Sequence, residues 1–348
     1  MHVLSISALK GGVGKTTITL GLASAAMAKG LRTLVVDLDP QCNTSTGLGA
    51  AGDYEYSVAE VLKKPRHNTV MKAIVAASWA KGQTGKLDVL LAQPRLTNLN
   101  IAKPSFKQLW HLEEGLSRVE NDYDLVLIDT PPSINALTRM AWVASDRVLL
   151  VTEPTFNSVL GVEQAVKALE ELRKQVNRQV SLSGVVVNRL RPSLAEHQFR
   201  MNELSEIYAD LLIDVAFEEK SAISQSQGAG RAIHSWPGQS AAKIANQLDL
   251  LLSKLEISFR EEDPKRGRER KSGKQRNRYA HRSQEQHDDG KAHGRRAAAK
   301  IEAKAERIEL KEQKVISPEY EDKFNEVLKQ TLTEKQIKKL KNQSSDED

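Results

Sequence analysis

Lysines, threonines and three glycines are crowded into residues 10–17, which read KGGVGKTT. The glycines let the backbone turn tightly and aim its N–H groups at an anion. Lys15 adds a positive charge that can reach phosphate oxygens, and the Thr16 hydroxyl can complete a Mg²⁺ shell. We therefore predict that the whole stretch binds nucleotide phosphates: Lys10, Gly11, Gly12, Val13, Gly14, Lys15, Thr16 and Thr17.

The surroundings of this stretch favour a phosphate loop over a chance glycine-rich turn. Against the pattern G-x-x-x-x-G-K-[ST], the end of the stretch fits, but Leu9 stands where the first glycine is expected. An apolar run at 3–8 predicts a buried strand before the loop, and residues 18–29 predict a helix after it. A loop placed in this way meets the positive end of a helix, where phosphate groups bind.

Two further predicted strands end in acids. Residues 31–37 end at Asp37, with Asp39 two positions on, and residues 123–129 end at Asp129. Buried strands that alternate with helices predict an α/β protein with a doubly wound, mostly parallel sheet flanked by helices. Strand ends of such a sheet share one edge, so these carboxylates should line the nucleotide crevice. Asp129 is predicted to hold Mg²⁺. For Asp39, an Asx turn before Pro40 is the alternative to a role at the nucleotide.

Three motifs together resemble the ParA/MinD family of partition and positioning ATPases: KGGVGKTT, VDLDPQCN at 36–43 and DTPPS at 129–133. The resemblance covers about residues 1–257 and implies a P-loop NTPase fold that binds ATP and Mg²⁺ and hydrolyses ATP slowly. It implies that Lys10 reaches the nucleotide of a second subunit across an ATP-dependent homodimer, although a solvated loop lysine is the alternative. It also implies that Asp39 orients the attacking water and that Asp37 lies near the metal.

The resemblance adds a nucleoside site. It places Pro154, Asn188 and Arg189 near the nucleoside, with Asn188 recognising the adenine base. An amide can donate to and accept from a base edge, so the role suits asparagine. A strand-end asparagine that makes a turn is the alternative.

The composition limits the remaining classes. The chain has 348 residues, of which 28% are charged and 5% aromatic, and one cysteine, Cys42. A single cysteine fits a reducing cytoplasm and argues against the related electron-transfer and metal-insertion ATPases. We expect no signal peptide, because no basic segment precedes an apolar run at the start. No apolar run is long enough for a membrane span.

Charge and composition divide the chain into three parts. We predict an ATPase domain at 1–257, a basic disordered linker at 258–296 and a charged, partly helical tail at 297–348. Residues 260–300 carry 14 Lys and Arg against 7 Asp and Glu. Such a segment buries too little apolar surface to fold alone. Its basic cluster, a candidate for non-specific DNA binding or simply a solvated linker, includes Lys265, Arg266, Arg268, Arg270 and Lys271.

The family resemblance leaves several functions open. One branch of the family binds DNA non-specifically in the ATP state and is associated with the nucleoid. A ParB-like or cargo-adaptor partner stimulates its ATP hydrolysis. Family position suggests Arg191 and Lys243 as DNA contacts. A MinD-like branch binds membranes through an amphipathic helix, which the weak apolar stripe at 324–340 makes a poor match. The chain could also position a non-DNA cargo or be a binding module with an inactive nucleotide site.

Overall fold

A computed structural model describes residues 1–50, 52, 54–80, 85–99, 104–176 and 180–255. The described residues up to Met201 and from Leu211 onward belong to one compact unit, and Asn202–Asp210 are assigned to a second. The predicted linker and tail, with their basic cluster, lie outside the described residues. Apart from Asn202–Asp210, the residues discussed below belong to the first unit.

One mixed sheet of eight strands forms the centre of this unit, in the order β3-β4-β2-β5-β1-β6-β7-β8. All neighbours pair in parallel except β3 and β4, which are antiparallel. The predicted mostly parallel α/β fold is therefore confirmed. The strands are β1 (His2–Ser7), β2 (Thr33–Asp37), β3 (Ile74–Ala76), β4 (Leu87–Leu90), β5 (Leu125–Asp129), β6 (Arg147–Thr152), β7 (Ser181–Leu190) and β8 (Leu212–Glu218).

Helices connect the strands. They are α1 (Lys15–Ala28), α2 (Asn43–Gly47), α3 (Val58–Lys63), α4 (His67–Ala73), α5 (Phe106–Leu109), α6 (His111–Ser117), α7 (Ala136–Ala144), α8 (Phe156–Val176), α9 (Ala195–Tyr208), α10 (Ser221–Gly228) and α11 (Gln239–Lys254).

Two apolar clusters pack against opposite faces of the sheet because successive strand residues point to opposite sides. In β1, Leu4 and Ile6 belong to the cluster that contains α1 and α11, whereas Val3 belongs to the cluster that contains α3, α6 and α7. The same alternation runs through β2 and β5. Because both faces are covered, these strands are largely apolar, and β2 and β5 each end in an aspartate at the carboxyl edge.

The structure corrects several element predictions. Apolar spacing in the sequence predicts one helix at 109–119 and another that begins at Gly161, but the structure has two helices, α5 and α6, in the first region, and α8 begins at Phe156. Helices α2, α4, α7 and α10 and strand β3 were not predicted. α7 starts at Ala136, three residues beyond Ser133, and Asn135 caps it by accepting a hydrogen bond from the Thr138 N–H. Pro131 and Pro132 therefore precede the first turn of α7 and do not interrupt the helix.

Candidate functional site

Two residues at the end of β7 donate hydrogen bonds to carbonyl groups of the loop between β1 and α1. The Asn188 Nδ2 donates to the Val13 carbonyl at 2.8 Å, and the Arg189 Nη1 donates to the Gly12 carbonyl at 3.0 Å. Gly14 is the N-cap of α1 and accepts the first helical hydrogen bond, from the Ile18 N–H at 3.0 Å. With two carbonyl groups turned towards β7, the loop suits an anion at the N-terminal end of α1.

Gly14 has no room for a side chain. Its φ of 94° lies in the left-handed region, and a Cβ there would stand 2.0 Å from the Asn188 Nδ2. An L side chain would therefore both strain the backbone and displace Asn188. This close approach is the physical reason for glycine before Lys15.

Lys15 and Thr16 face the acid at the end of β5. Lys15 is only 6% exposed, and burial lowers its pKa while the charges of Asp129 and Asp39 oppose that shift. The Thr16 Oγ1 donates to the Asp129 Oδ2 at 2.7 Å, and the Thr44 Oγ1 donates to the same oxygen at 2.5 Å. The other oxygen, Oδ1, is buried without a hydrogen-bond partner.

The fully buried Asp37 has a different set of contacts. Its Oδ2 accepts from the Ser45 N–H and hydroxyl, both at 2.8 Å, and its Oδ1 accepts from the Asp39 N–H at 3.1 Å. Burial, and then the neighbouring Asp129, raise the pKa of Asp37 to about 7. Both oxygens of Asp37 thus anchor the loop that follows β2, and its predicted place near a metal remains a prediction.

Asp39 shows the predicted alternative, an Asx turn. Its Oδ1 accepts from the Gln41 N–H at 2.9 Å. The carboxylate is nevertheless partly exposed and close enough to Lys15 to act on its pKa. The turn therefore fixes the carboxylate beside the loop lysine, and a role towards water stays compatible with it.

The polar groups at Thr16 and Asp129 fit Mg²⁺. This ion is usually bound through one or two carboxylates together with waters and substrate phosphates. Asp129 Oδ1 is an orphaned carboxylate oxygen beside the Thr16 hydroxyl. Within the part of the chain that the structure describes, no group of three or more His, Cys, Asp or Glu could hold a metal. The fit is thus to a cation that shares its ligands with a phosphate group.

We call this region the carboxylate side: Thr16, Asp37, Thr44, Ser45 and Asp129.

The opposite side of the loop is built from ion pairs. The Lys10 Nζ lies 2.5 Å from the Glu153 Oε1 and donates to the Thr155 Oγ1 at 3.2 Å. The Arg189 Nη1 lies 3.8 Å from the Glu153 Oε2. Pro154, predicted to contact the nucleoside, is buried in the turn between Glu153 and Thr155.

This chain of charges continues along the surface. The Arg189 Nη2 donates to the Glu219 Oε1 at 2.9 Å, and the Arg191 Nε donates to the Glu219 Oε2 at 2.6 Å. Hydrogen bonds from both arginines lower the pKa of Glu219. We call this region the ion-pair side: Lys10, Glu153, Arg189, Arg191 and Glu219.

The predicted DNA contacts within the described residues are exposed but have acidic neighbours. Arg191 pairs with Glu219, and the Lys243 Nζ lies 3.7 Å from the Glu218 Oε1. The two basic residues thus lie beside adjacent glutamates at the end of β8. The five predicted contacts in the linker, from Lys265 to Lys271, fall outside the described residues.

A narrow cleft lies beside Thr17 at the start of α1, on the side that faces α10 and α11. Polar Thr17 and Asn188 belong to its lining, and the other lining residues include Phe217, Ile223 and Leu248. An apolar cleft with a few polar groups is the usual form of a small-molecule site.

Sequence reasoning missed several residues of the site. Thr44 and Ser45 hold the two buried acids, although the run of hydroxyl residues at 44–46 after the second strand was a readable signal. The ion pairs of Glu153 and Glu219 were not predicted, because their partners lie 143 and about 30 positions away in the sequence. Only the fold brings those charges together.

The fold and the loop together define a P-loop nucleotide-binding protein. A family model described as an AAA domain (AAA_31) matches residues 1–182. The chromosome partitioning protein ParA of Caulobacter vibrioides is 30% identical over 239 residues, covering 67% of this chain and 86% of the relative. The chain belongs to the ParA-type P-loop ATPases.

Solved structures share the fold. The ATP complex of a Cyanothece McdA variant has a TM-score of 0.63 at 18% identity and covers 75% of this chain and 98% of its own. A Mycobacterium smegmatis cobyrinic acid a,c-diamide synthase with an ATP analogue and magnesium has a TM-score of 0.60 at 23% identity, with coverages of 72% and 94%. No helix among the described residues is long and apolar enough to cross a membrane.

Proposed function

We propose that this chain is a slow, Mg²⁺-dependent ATPase whose ATP state pairs two copies and positions DNA. The observation that carries the ATPase proposal is the partnerless Oδ1 of Asp129, buried beside Thr16 and Lys15 at the phosphate loop. A buried carboxylate oxygen without a partner is costly. A cation that is shared with a nucleotide phosphate would satisfy it.

Each side chain has a role that its place supports. Lys15, with the loop N–H groups, would stabilise negative charge on the transferred phosphoryl group, and Thr16 and Asp129 would hold Mg²⁺. Mg²⁺, when bound, neutralises charge on the β- and γ-phosphates. Asp39 is held beside Lys15 by its Asx turn and would orient the attacking water. Thr44 and Ser45 would hold the loop after β2 against the two buried acids, Asp129 and Asp37.

The nucleoside would enter the cleft beside Thr17. Asn188 donates one N–H to the Val13 carbonyl, and its second N–H and its carbonyl oxygen could pair with a base. Both solved structures named above hold ATP or an ATP analogue, which supports ATP as the nucleotide. Pro154 and Arg189 would border the same region.

DNA is the proposed cargo or track. The support is the partitioning name of the Caulobacter relative and the basic residues at Arg191, Lys243 and the predicted linker. Phosphate contacts from these residues would bind DNA without regard to sequence and would weaken with salt. A ParB-like or cargo-adaptor protein would stimulate hydrolysis, and the chain would act in the cytoplasm at the nucleoid.

Co-sedimentation of the full chain with DNA, in ATP, ADP or no nucleotide, tests this proposal. We expect retention that needs ATP. A variant with Arg191 and Lys243 replaced by alanine is compared with one in which the five linker residues Lys265, Arg266, Arg268, Arg270 and Lys271 are replaced. Nucleotide-independent binding that vanishes only in the linker variant would contradict an ATP-controlled switch. No DNA binding by any form would favour a non-DNA cargo or, if liposomes bind, the MinD-like alternative.

A further inference from the structure

Lys10 has an intramolecular partner of a specific kind. The Glu153 carboxylate that it contacts is only 13% exposed, whereas the Lys10 side chain is 37% exposed. The contact is made within one chain, and it neutralises the charge that the phosphate loop carries at its first position. A lysine held in this way does not offer its full charge to another molecule.

Glu153 can release Lys10 without being left unpaired. Its second oxygen lies 3.8 Å from the Arg189 Nη1, a distance that a small movement of the guanidinium would close. Removing the only partner of a partly buried carboxylate is strongly unfavourable, but a carboxylate shared by two cations avoids that state. Arg189 is itself anchored by the Gly12 carbonyl and by Glu219, so it stays beside Glu153.

The structure shows one arrangement of these charges, and its geometry allows a second. In one, Glu153 holds Lys10; in the other, Lys10 extends from the loop and Glu153 keeps Arg189. Only the second arrangement presents the lysine to a phosphate group on another copy of the chain. The difference in free energy between the two arrangements is that of one partly screened ion pair. Binding of nucleotide and of a second copy can supply that much free energy.

We propose that Glu153 is a positioning residue that restrains Lys10 and thereby sets the protein concentration at which ATP pairs two copies. This inference rests on the proposed function, since it requires that Lys10 acts across the pair. It assigns to Glu153 a regulatory contact that competes with pairing. The residue touches Lys10 and Arg189 and has no assigned contact with nucleotide.

Sedimentation velocity with a non-hydrolysable ATP analogue and Mg²⁺ measures the pairing directly. The full chain is compared with Glu153→Gln, which is nearly isosteric but uncharged. We expect the apparent dissociation constant of the pair to fall roughly five-fold, because Lys10 no longer leaves an ion pair. Glu153→Asp, which keeps the charge, should remain close to the unmodified chain.

The matched control is Glu163→Gln. Glu163 has a similar exposure of 14% and lies 2.6 Å from Lys167, but both belong to α8 and not to the loop. We expect no change in pairing. In a Lys10→Ala background, Glu153→Gln should likewise have no further effect, which a merely structural role would not predict.

Unchanged or weaker pairing in folded Glu153→Gln would overturn the inference, as would an equal shift in the Lys10→Ala background. An unfolded variant would also overturn it, because Glu153 would then be needed for the fold itself. These results leave the proposed function intact if the unmodified chain pairs with the analogue. If the unmodified chain does not pair, the proposed function fails first.

Discussion

The carboxylate side and the ion-pair side flank one phosphate loop but are built differently. On the carboxylate side, Asp37 and Asp129 are fully buried, and short hydroxyl contacts from Thr16, Thr44 and Ser45 fix them. On the ion-pair side, the arginines are 43% and 55% exposed and share their glutamates. Hydroxyl contacts hold these buried carboxylates in one arrangement, whereas exposed charges exchange partners at little cost.

The two sides of the loop therefore suit different tasks. Chemistry at a phosphate group needs charges that do not reorganise during the reaction, and the carboxylate side provides them. A response to a second molecule needs contacts that can be broken, and the ion-pair side provides those. Substitutions on the first side should therefore change turnover, and substitutions on the second should change association.

The largest expected effect is that of Asp129→Ala on turnover. The variant removes the proposed Mg²⁺ ligand and the acceptor of Thr16 and Thr44, so ATP hydrolysis should fall about 100-fold or more. Phosphate release under saturating ATP measures it. Asp88→Asn is the control, because Asp88 is also largely buried and accepts from the Tyr123 hydroxyl at 2.6 Å, but it lies on β4 away from the loop. Equal losses in both variants would mean that the fold, not the site, was damaged.

Gly14→Ala should come next, as a loss of stability. The new Cβ would meet the Asn188 Nδ2 at 2.0 Å in a left-handed backbone, so we expect the free energy of unfolding to fall by about 2 kcal/mol. Urea denaturation without nucleotide measures it.

Gly11→Ala is the matched control for that loss, since no atom lies within 4 Å of its Cβ position. Its free energy of unfolding should change much less. Similar values for the two alanine variants would show that the loop adapts freely and is not fixed by β7.

The buried acid Asp37 predicts a dependence of stability on pH. Its pKa is raised from 3.8 to about 7 in the folded chain, so the folded state binds the proton more tightly than the unfolded state does. Stability from this group is therefore present at low pH and is lost as pH rises from about 4 to about 7. Between pH 5 and pH 7 the folding equilibrium constant should fall roughly fifty-fold relative to that of Asp37→Asn.

Parallel urea titrations of the nucleotide-free chain and Asp37→Asn, at several pH values in that window, test this sign. A parallel pH dependence of the two proteins would show that Asp37 stays ionised when folded, and the carboxylate side would then be less strained than its burial indicates.

The smallest effect belongs to Glu219→Gln. The variant removes the shared partner of Arg189 and Arg191 at the surface, where charges are well screened. We expect a small loss of stability that disappears at about 1 M salt, together with unchanged turnover per folded molecule. A salt-independent loss, measured by thermal unfolding at low and high salt, would mean that the ion-pair side is as rigid as the carboxylate side.

The sequence predicted the parts of this molecule whose signals are local. The phosphate loop, the strands that end at Asp37 and Asp129, and the amphipathic α11 are each legible within about a dozen neighbouring residues. The short elements α2, α4 and β3 carry too few residues to show a period. Contacts such as Lys10 with Glu153 depend on the sheet order that places β6 beside β1, which local patterns do not encode.

Phosphate release from ATP and Mg²⁺ by the full chain, over a range of protein concentrations, tests the central claim most directly. We expect slow release that Lys15→Ala abolishes. The rate per molecule should rise with protein concentration, because the active unit is a pair. Release no greater than that of Lys15→Ala, or a rate per molecule that does not change with concentration, would contradict it.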